Sequence, residues 1–266
     1  MMDRTDRHYR YFMRQISRRT LLYTEMITSQ AIIYGDRHKL LDFSPAEKPL
    51  VLQLGGDNSV QLAECAKIGE DWGYDAINLN VGCPSNRVQS GNFGACLMTQ
   101  PELVAEAVDA MQQVVEIPVT VKHRIGVDQC DRYEDMVNFV RIVSETGCNN
   151  FTVHARNKIH LKSVDGVMIG RAAYDRPYLF ATVDRDIFGE DVTPKSREEI
   201  VATMLPYIDY WINKGTRLNS ISRHMLQLFA EQPGTKAWKR YITENACLLG
   251  ANSLVIGAAL AKVTSI

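Results

Sequence analysis

The sequence predicts an α/β fold of the (β/α)-barrel kind, followed by a small all-α part. Three observations lead there. Short apolar runs alternate with helix-length stretches through the first two thirds of the chain, the pattern of parallel strands joined by crossover helices. Polar and charged residues gather at the C-terminal ends of those runs, where parallel α/β proteins place their chemistry. Past Asp191-Val192-Thr193-Pro194 the alternation stops and only helical stretches remain.

Taken in order, strands are expected over residues 21–26 and 50–54, the second closing on Gly55-Gly56. A helix over 58–72 has Asp57 or Asn58 as its cap. The alternating run Ala76-Ile77-Asn78-Leu79-Asn80-Val81 reads as a buried strand. A helix over 101–115 opens on Pro101 behind Thr99. A strand at 119–122, a helix over 131–146 ended by Gly147, and strands at 151–154 and 166–169 follow. One interval fails the geometry. A parallel crossover needs a dozen or more residues, yet only residues 157–164 separate Arg156 from Asp165. That is too short for two loops and a covering helix. Either these strands are not parallel neighbours, or a segment is missing between them. The C-terminal part reads as helices over 197–211, 220–230, 236–249 and 253–262, punctuated by Gly215, Pro233-Gly234 and Gly250. The expected domains are therefore a barrel at 1–190 and a helical domain at 195–266.

Composition narrows the function classes. The 266 residues carry a net charge of −1, so no global field draws in nucleic acid, and such a partner needs a local basic patch. The window 211–240 supplies one candidate: Lys214, Arg217, Arg223, Lys236, Lys239 and Arg240 face only Glu231. A solvated helix surface reads the same way on charge alone. The cysteines at 65, 83, 96, 130, 148 and 247 show no C-x-x-C and no metal spacing with histidine. Reduced thiols in a cytoplasmic protein are expected, without a disulfide or zinc framework. No apolar run reaches membrane-spanning length, and the N-terminus is charged at once with no signal core.

The candidate chemistry sits at the strand ends. Cys83 in Gly82-Cys83-Pro84 lies at the mouth of the third strand with Asn80 just before it. A cysteine there can donate a proton, though one following a strand is more often a small buried filler. Gln53 can pair with the edge of a flat heterocycle, because its amide both donates and accepts; a turn residue beside Gly55-Gly56 is the plainer reading. Lys122 and Arg124 share one strand face, and two cations at a barrel mouth imply an anion. His154 and Arg156 repeat that spacing one strand later, although a lone strand histidine is usually a satisfied core residue. Gly170-Arg171 ends the last apolar run, at a turn whose amides suit a phosphate.

Together these strings resemble the tRNA-dihydrouridine synthases, most closely their A-type branch. The similar stretches are Met2-Asp3-Arg4-Thr5-Asp6-Arg7-His8, Leu22-Tyr23-Thr24-Glu25-Met26, Leu52-Gln53-Leu54-Gly55-Gly56, residues 78–98, residues 119–126, Val153-His154-Ala155-Arg156 and residues 165–171. Arg223-His224-Met225-Leu226 and the Pro233-Gly234 to Tyr241 stretch match as well. The resemblance implies an FMN-binding TIM barrel with a helical tRNA-binding domain. It implies reduction of the C5–C6 bond of a D-loop uridine at position 20 or 20a, with NADPH recharging the flavin. Hydride would reach C6, and Cys83 would protonate C5. Asn80 would hold the uridine, with Arg124 on the substrate side. Met1, Met2, Gln53, Lys122, His154, Gly170 and Arg171 would contact FMN, the last three at its phosphate. Lys236 and Lys239 would meet tRNA. A monomer without metal or membrane partner is the matching expectation.

The departures are specific. The resemblance implies a first strand beginning before Met1, and a proline ahead of the two methionines. It also implies a substrate loop, a crossover helix and a further strand between Arg156 and Asp165. Here residues 160–164 look like the tail of that helix, joined directly to 157–159 near Ile159 and His160. The crossover length fails at the same place. A shortened, catalytically impaired tRNA-binding relative is the alternative reading. An FMN barrel acting on a free pyrimidine is a third, disfavoured by the basic helical part.

Overall fold

The computed structural model describes residues 1–84, 93–127, 130–154 and 164–264. In chain order the elements are α1 (Arg7–Ile16), β1 (Leu22–Thr28), α2 (Ser29–Tyr34), α3 (Arg37–Leu41), β2 (Leu50–Gly55), α4 (Ser59–Trp72), β3 (Ala76–Val81), α5 (Pro101–Gln112), β4 (Val119–Arg124), α6 (Tyr133–Ser144) and β5 (Phe151–His154). Then come α7 (Arg171–Asp175), α8 (Val183–Asp186), α9 (Arg197–Asn213), α10 (Leu218–Ser222), α11 (Thr235–Asn245) and α12 (Ser253–Thr264).

The chain forms two compact units. One holds Leu21–Met168, the other Asp3–Thr20 together with Ile169–Ile266. The expected break near 190–195 thus falls elsewhere, between Met168 and Ile169. The N-terminal helix groups with the C-terminal helices and not with the sheet.

In the first unit five parallel strands run in the order β1-β2-β3-β4-β5. A doubly wound sheet would reverse order at a switch point. Strictly sequential order is what winding in one direction, as in a (β/α) barrel, produces. The sheet is also curled. In a flat sheet β1 and β5 would lie about 19 Å apart, four strand spacings. Yet burial pushes the Tyr23 phenol on β1 up while Thr152 on β5, close enough to act on it, pulls it down. Only inward curvature brings the two ends that close.

One face of the sheet is packed by helices. Asn58 caps α4 by accepting from the Gln61 amide, and α4 buries Leu62, Cys65, Ala66 and Gly69, one stripe at helical spacing. Gly69 is needed for closeness: a Cβ there would sit 2.7 Å from Leu52 Cδ2 and 2.9 Å from Ile77 Cδ1. Leu52 and Ile77 are fully buried and have no room to yield.

The sixth expected strand does not form. Residues 166–169 carry no regular structure, and Val167 and Ile169 are 61% and 40% exposed. The closed barrel is likewise not reached among the described residues. The reason is the one the spacing exposed: a parallel strand pairs only through a crossover long enough to return it to the same sheet end. The join itself, at Ile159 and His160, and the expected Arg156 site lie outside the described residues.

In the helical unit the N-terminus is tied to a distant segment. Asp6 caps α1, accepting from the His8 and Tyr9 amides at 3.0 Å. Its carboxylate also accepts from Arg223 Nη2 at 2.6 Å and lies 3.0 Å from His224 Nε2. Two strings far apart in sequence therefore meet at one carboxylate. Burial alone would raise the Asp6 pKa; the His224 contact, the Tyr9 amide and Arg223 outweigh it and hold the carboxyl well below the usual range. The expected helix at 220–230 shrinks to α10, and a chain of turns carries Arg223 and His224 to this contact.

This linkage has a definite sign. A depressed folded pKa contributes stability that is complete above the unfolded carboxylate value, about 4, and lost as pH falls toward the folded one. In urea unfolding followed by circular dichroism, Asp6→Asn should lower the midpoint at pH 7 and flatten its decline between about pH 5 and pH 2. Equal acid slopes in the two proteins would show that Asp6 is not the source.

Candidate active site

Strand alternation puts Gln53, Asn78, Asn80, Thr120, Lys122, Arg124 and Thr152 away from the helix layer. The register then orders them in rows. Gln53 pairs with Asn78 and Asn78 with Thr120; Asn80 pairs with Lys122 and Lys122 with Thr152; Arg124 pairs with His154. Such rows are the layers of a barrel interior.

The lowest row is fully buried and fully bonded. Thr120 donates to the Ile77 carbonyl at 3.1 Å and accepts from Asn78 Nδ2 at 2.8 Å. Asn78 Oδ1 accepts from Gln53 Nε2 at 2.9 Å, and Gln53 Oε1 accepts from Asn80 Nδ2 at 2.8 Å. Asn80 Oδ1 in turn accepts from the Gly82 and Cys83 amides, both at 3.0 Å. The Gln53 amide N–H is held by Thr24 Oγ1 at 2.9 Å. Cys83 thus stands half-buried at the end of β3, in a turn pinned from below, and its carbonyl accepts from the Ala95 amide at 2.9 Å.

Above that row sit the cations. Arg124 Nε donates to the Gly82 carbonyl at 2.6 Å, a second hold on the same turn. Lys122 is half-buried, and no hydrogen bond or ion pair to its ammonium occurs among the described residues. Burial first, and then the charge of Arg124, push its pKa down; the Cys83 sulfur, near enough to act on it, pulls the other way. His154 is exposed at the end of β5.

On the helix side of β4, His123 is fully buried against Phe139, ring centroids 5.1 Å apart. Its Nδ1 lies 2.7 Å from the Arg124 carbonyl, while Nε2 has no partner. Burial holds this imidazole's pKa down, so it stays neutral and structural.

The structure therefore brings Gln53, Asn80, Cys83, Lys122, Arg124 and His154 to one end of one sheet. The remaining expected residues belong to the helical unit or the extreme N-terminus. Met1 and Met2 are 36% and 52% exposed. A Cβ on Gly170 would stand 3.7 Å from Met1 Sδ, so those two are neighbours. Arg171 is exposed at the start of α7. Lys236 is exposed on α11, and Lys239 donates to Gln227 Oε1 at 2.6 Å.

Asn78 and Thr120 were not singled out from the sequence. Their signal was there: polar residues on the strand face that also carries Asn80 and Lys122. Toward the mouth the site is rich in donors, namely a spare N–H of Asn80, the Lys122 ammonium and the Arg124 guanidinium. That set suits a flat ring bearing carbonyl oxygens or negative charge, next to a thiol.

Charge divides between the units. The helical unit, counted over Asp3–Thr20 and Ile169–Ile266, has 18 Lys and Arg against 12 Asp and Glu; Leu21–Met168 has 12 against 19. A chain near neutrality is thus one basic and one acidic body, at +6 and −7. The 211–240 window contributes less than its formal charge, because Arg223 is paired with Asp6 and Arg240 with Glu244. The six arginines of residues 3–20 make up the difference.

The family described as dihydrouridine synthase (Dus) matches residues 1–163 and 157–256. The two matched stretches overlap at 157–163, on either side of the join that the crossover length marked. A tRNA-dihydrouridine(20/20a) synthase from Synechocystis sp. is 53% identical over 306 residues, covering 98% of this chain and 92% of that protein. Namesakes from Vibrio parahaemolyticus and Escherichia coli are 47% and 45% identical over 310 residues, covering 99% of this chain and 95% and 93% of theirs. These alignments run at least 40 positions beyond what 266 residues can fill. No helix among the described residues is long and apolar enough to cross a membrane.

A half-buried ammonium without a partner costs stability that only a ligand returns. Lys122→Met should therefore raise the urea midpoint, with a gain of about 0.5–2 kcal/mol in unfolding free energy. A lowered midpoint would mean that Lys122 already has its partner within the chain.

Proposed function

The chain belongs to the dihydrouridine synthase family, and from that premise we propose that it reduces the C5–C6 bond of a D-loop uridine, at position 20 or 20a of tRNA, with FMN recharged by NADPH. The observation that carries this is the Cys83 turn, held by Asn80 and Arg124 beside a Lys122 with no hydrogen bond or ion pair among the described residues. Bound FMN supplies the hydride for C6. Lys122 would hold its ring edge, presenting a donor to a ring rich in acceptors and negative charge when reduced, with Gln53 beside it on the same face. The rest is done by the chain's own groups. Asn80 keeps one N–H for the uracil edge, and Arg124 stands on the same side. The Cys83 thiol gives its proton to C5, on a base that must leave its stack to reach the site. The basic helical unit, with Lys236 and Lys239, meets the tRNA backbone. The same reading takes the protein as a cytoplasmic monomer, in keeping with six cysteines that show no metal spacing.

The phosphate end of FMN fits less well. Gly170 and Arg171 are exposed at a five-residue helix, and the alignments to relatives are at least 40 positions longer than this chain. That favours a second reading, a tRNA-binding relative with impaired flavin chemistry.

One experiment separates the two. Wild-type protein and Cys83→Ala are incubated with unmodified tRNA, FMN and NADPH, and dihydrouridine is read by mass spectrometry. The synthase reading expects product at position 20 or 20a, a loss of roughly a hundredfold or more in Cys83→Ala, and unchanged tRNA retention in a filter-binding assay. Retention of tRNA without product and without bound flavin supports the second reading and overturns the first.

A further inference from the structure

The buried row below Cys83 has a direction. The Thr120 hydroxyl has one proton, and it goes to the Ile77 carbonyl. Its oxygen can therefore only accept from Asn78, so the Asn78 NH₂ must face Thr120 and its oxygen must face Gln53. That turns the Gln53 NH₂ inward to Asn78 and its oxygen to Asn80. The Asn80 oxygen is then left for the Gly82 and Cys83 amides. Read from the other end the result is the same, since two backbone N–H groups can only donate. An amide in a protein can usually flip at little cost. Here each flip would set donor against donor at one end and acceptor against acceptor at the other in a buried site, at about 1–3 kcal/mol for each group left unmet.

We propose that Thr120 and Asn78 are positioning residues for Cys83. Neither reaches the mouth: Asn78 is fully buried and Thr120 is 5% exposed. They act by fixing which end of the Gln53 and Asn80 amides points where, and hence the place of the Cys83 sulfur relative to Lys122. The Thr120 hydroxyl, on a strand paired to β3, anchors the polarity of the row at one end, and the Gly82 and Cys83 amides anchor it at the other. The catalytic part of this inference rests on the reading of Cys83 as proton donor.

The test breaks the chain at two links. Thr120→Val keeps the shape and removes the hydroxyl; Asn78→Ala removes the next amide; Thr120→Ser restores the hydroxyl. Alkylation of Cys83 by iodoacetamide is followed by peptide mass spectrometry across pH 6–10, with exposed Cys130 and Cys247 as internal references. The expected result is a changed Cys83 rate and a displaced pH profile in Thr120→Val and Asn78→Ala. The reference cysteines stay unchanged, and Thr120→Ser behaves as wild type. In single-turnover assays, reduction of tRNA should slow by about tenfold to a hundredfold, with tRNA affinity and flavin reduction by NADPH unaltered. Two folded variants whose Cys83 alkylates as in wild type overturn the proposal. Should wild-type protein reduce no uridine, the functional reading fails, and the alkylation profiles still decide this one.

Discussion

The parallel register of β2, β3 and β4 is the constraint on which the site depends. It sets Gln53, Asn78 and Thr120 in one row and Asn80 and Lys122 in the next. A shift of one residue in any pair would turn those side chains to the helix layer and bring Leu79 or Val121 into the mouth. The buried polar row guards against such a slip. Its groups are satisfied only in this register, and a half-satisfied row would cost more than an apolar one. Close helix packing at Gly69 holds the same strands from the other face, so the row is clamped on both sides.

The break after β5 is the counterpart of that order. Four strands inherit their neighbours through crossovers of ordinary length, and each falls into place. At β5 the crossover fails, and the apolar run at 166–169, strand-like in composition, is left exposed and unpaired. Sequence, fold and relatives agree on this one point. The loop is too short, the strand does not form, and the alignments to relatives leave at least 40 positions with no residue here. An exposed apolar run of this kind is an aggregation liability that natural proteins cover or charge. The cost of the gap thus falls on solubility.

Five strands and the helices at α4, α9 and α12 were legible in the sequence within a few residues, because each carries a strong period or an explicit cap. Asn58 and Gly73 bracket α4 in plain view. Less legible was α1. Its arginine-rich pattern reads as solvated, yet Arg10 and Arg14 are buried and bonded to the carbonyls of Thr5, Ser17 and Arg18. Guanidinium groups that satisfy backbone oxygens leave no apolar trace in composition. The site residues at the mouth were readable from their types. The row beneath them was not, since Asn and Thr in strands draw attention only once the register shows them meeting.

Grouping α1 with the C-terminal helices changes how the net charge of −1 is to be understood. Averaged over the chain, the charge argues against a polyanionic partner. Divided by unit, it argues for one. The +6 body can attract phosphate, and the −7 body, which holds the thiol, carries Lys122 and Arg124 beside it at one end of its sheet. Segregated charge of this kind steers as well as binds, and its effect should fall with salt.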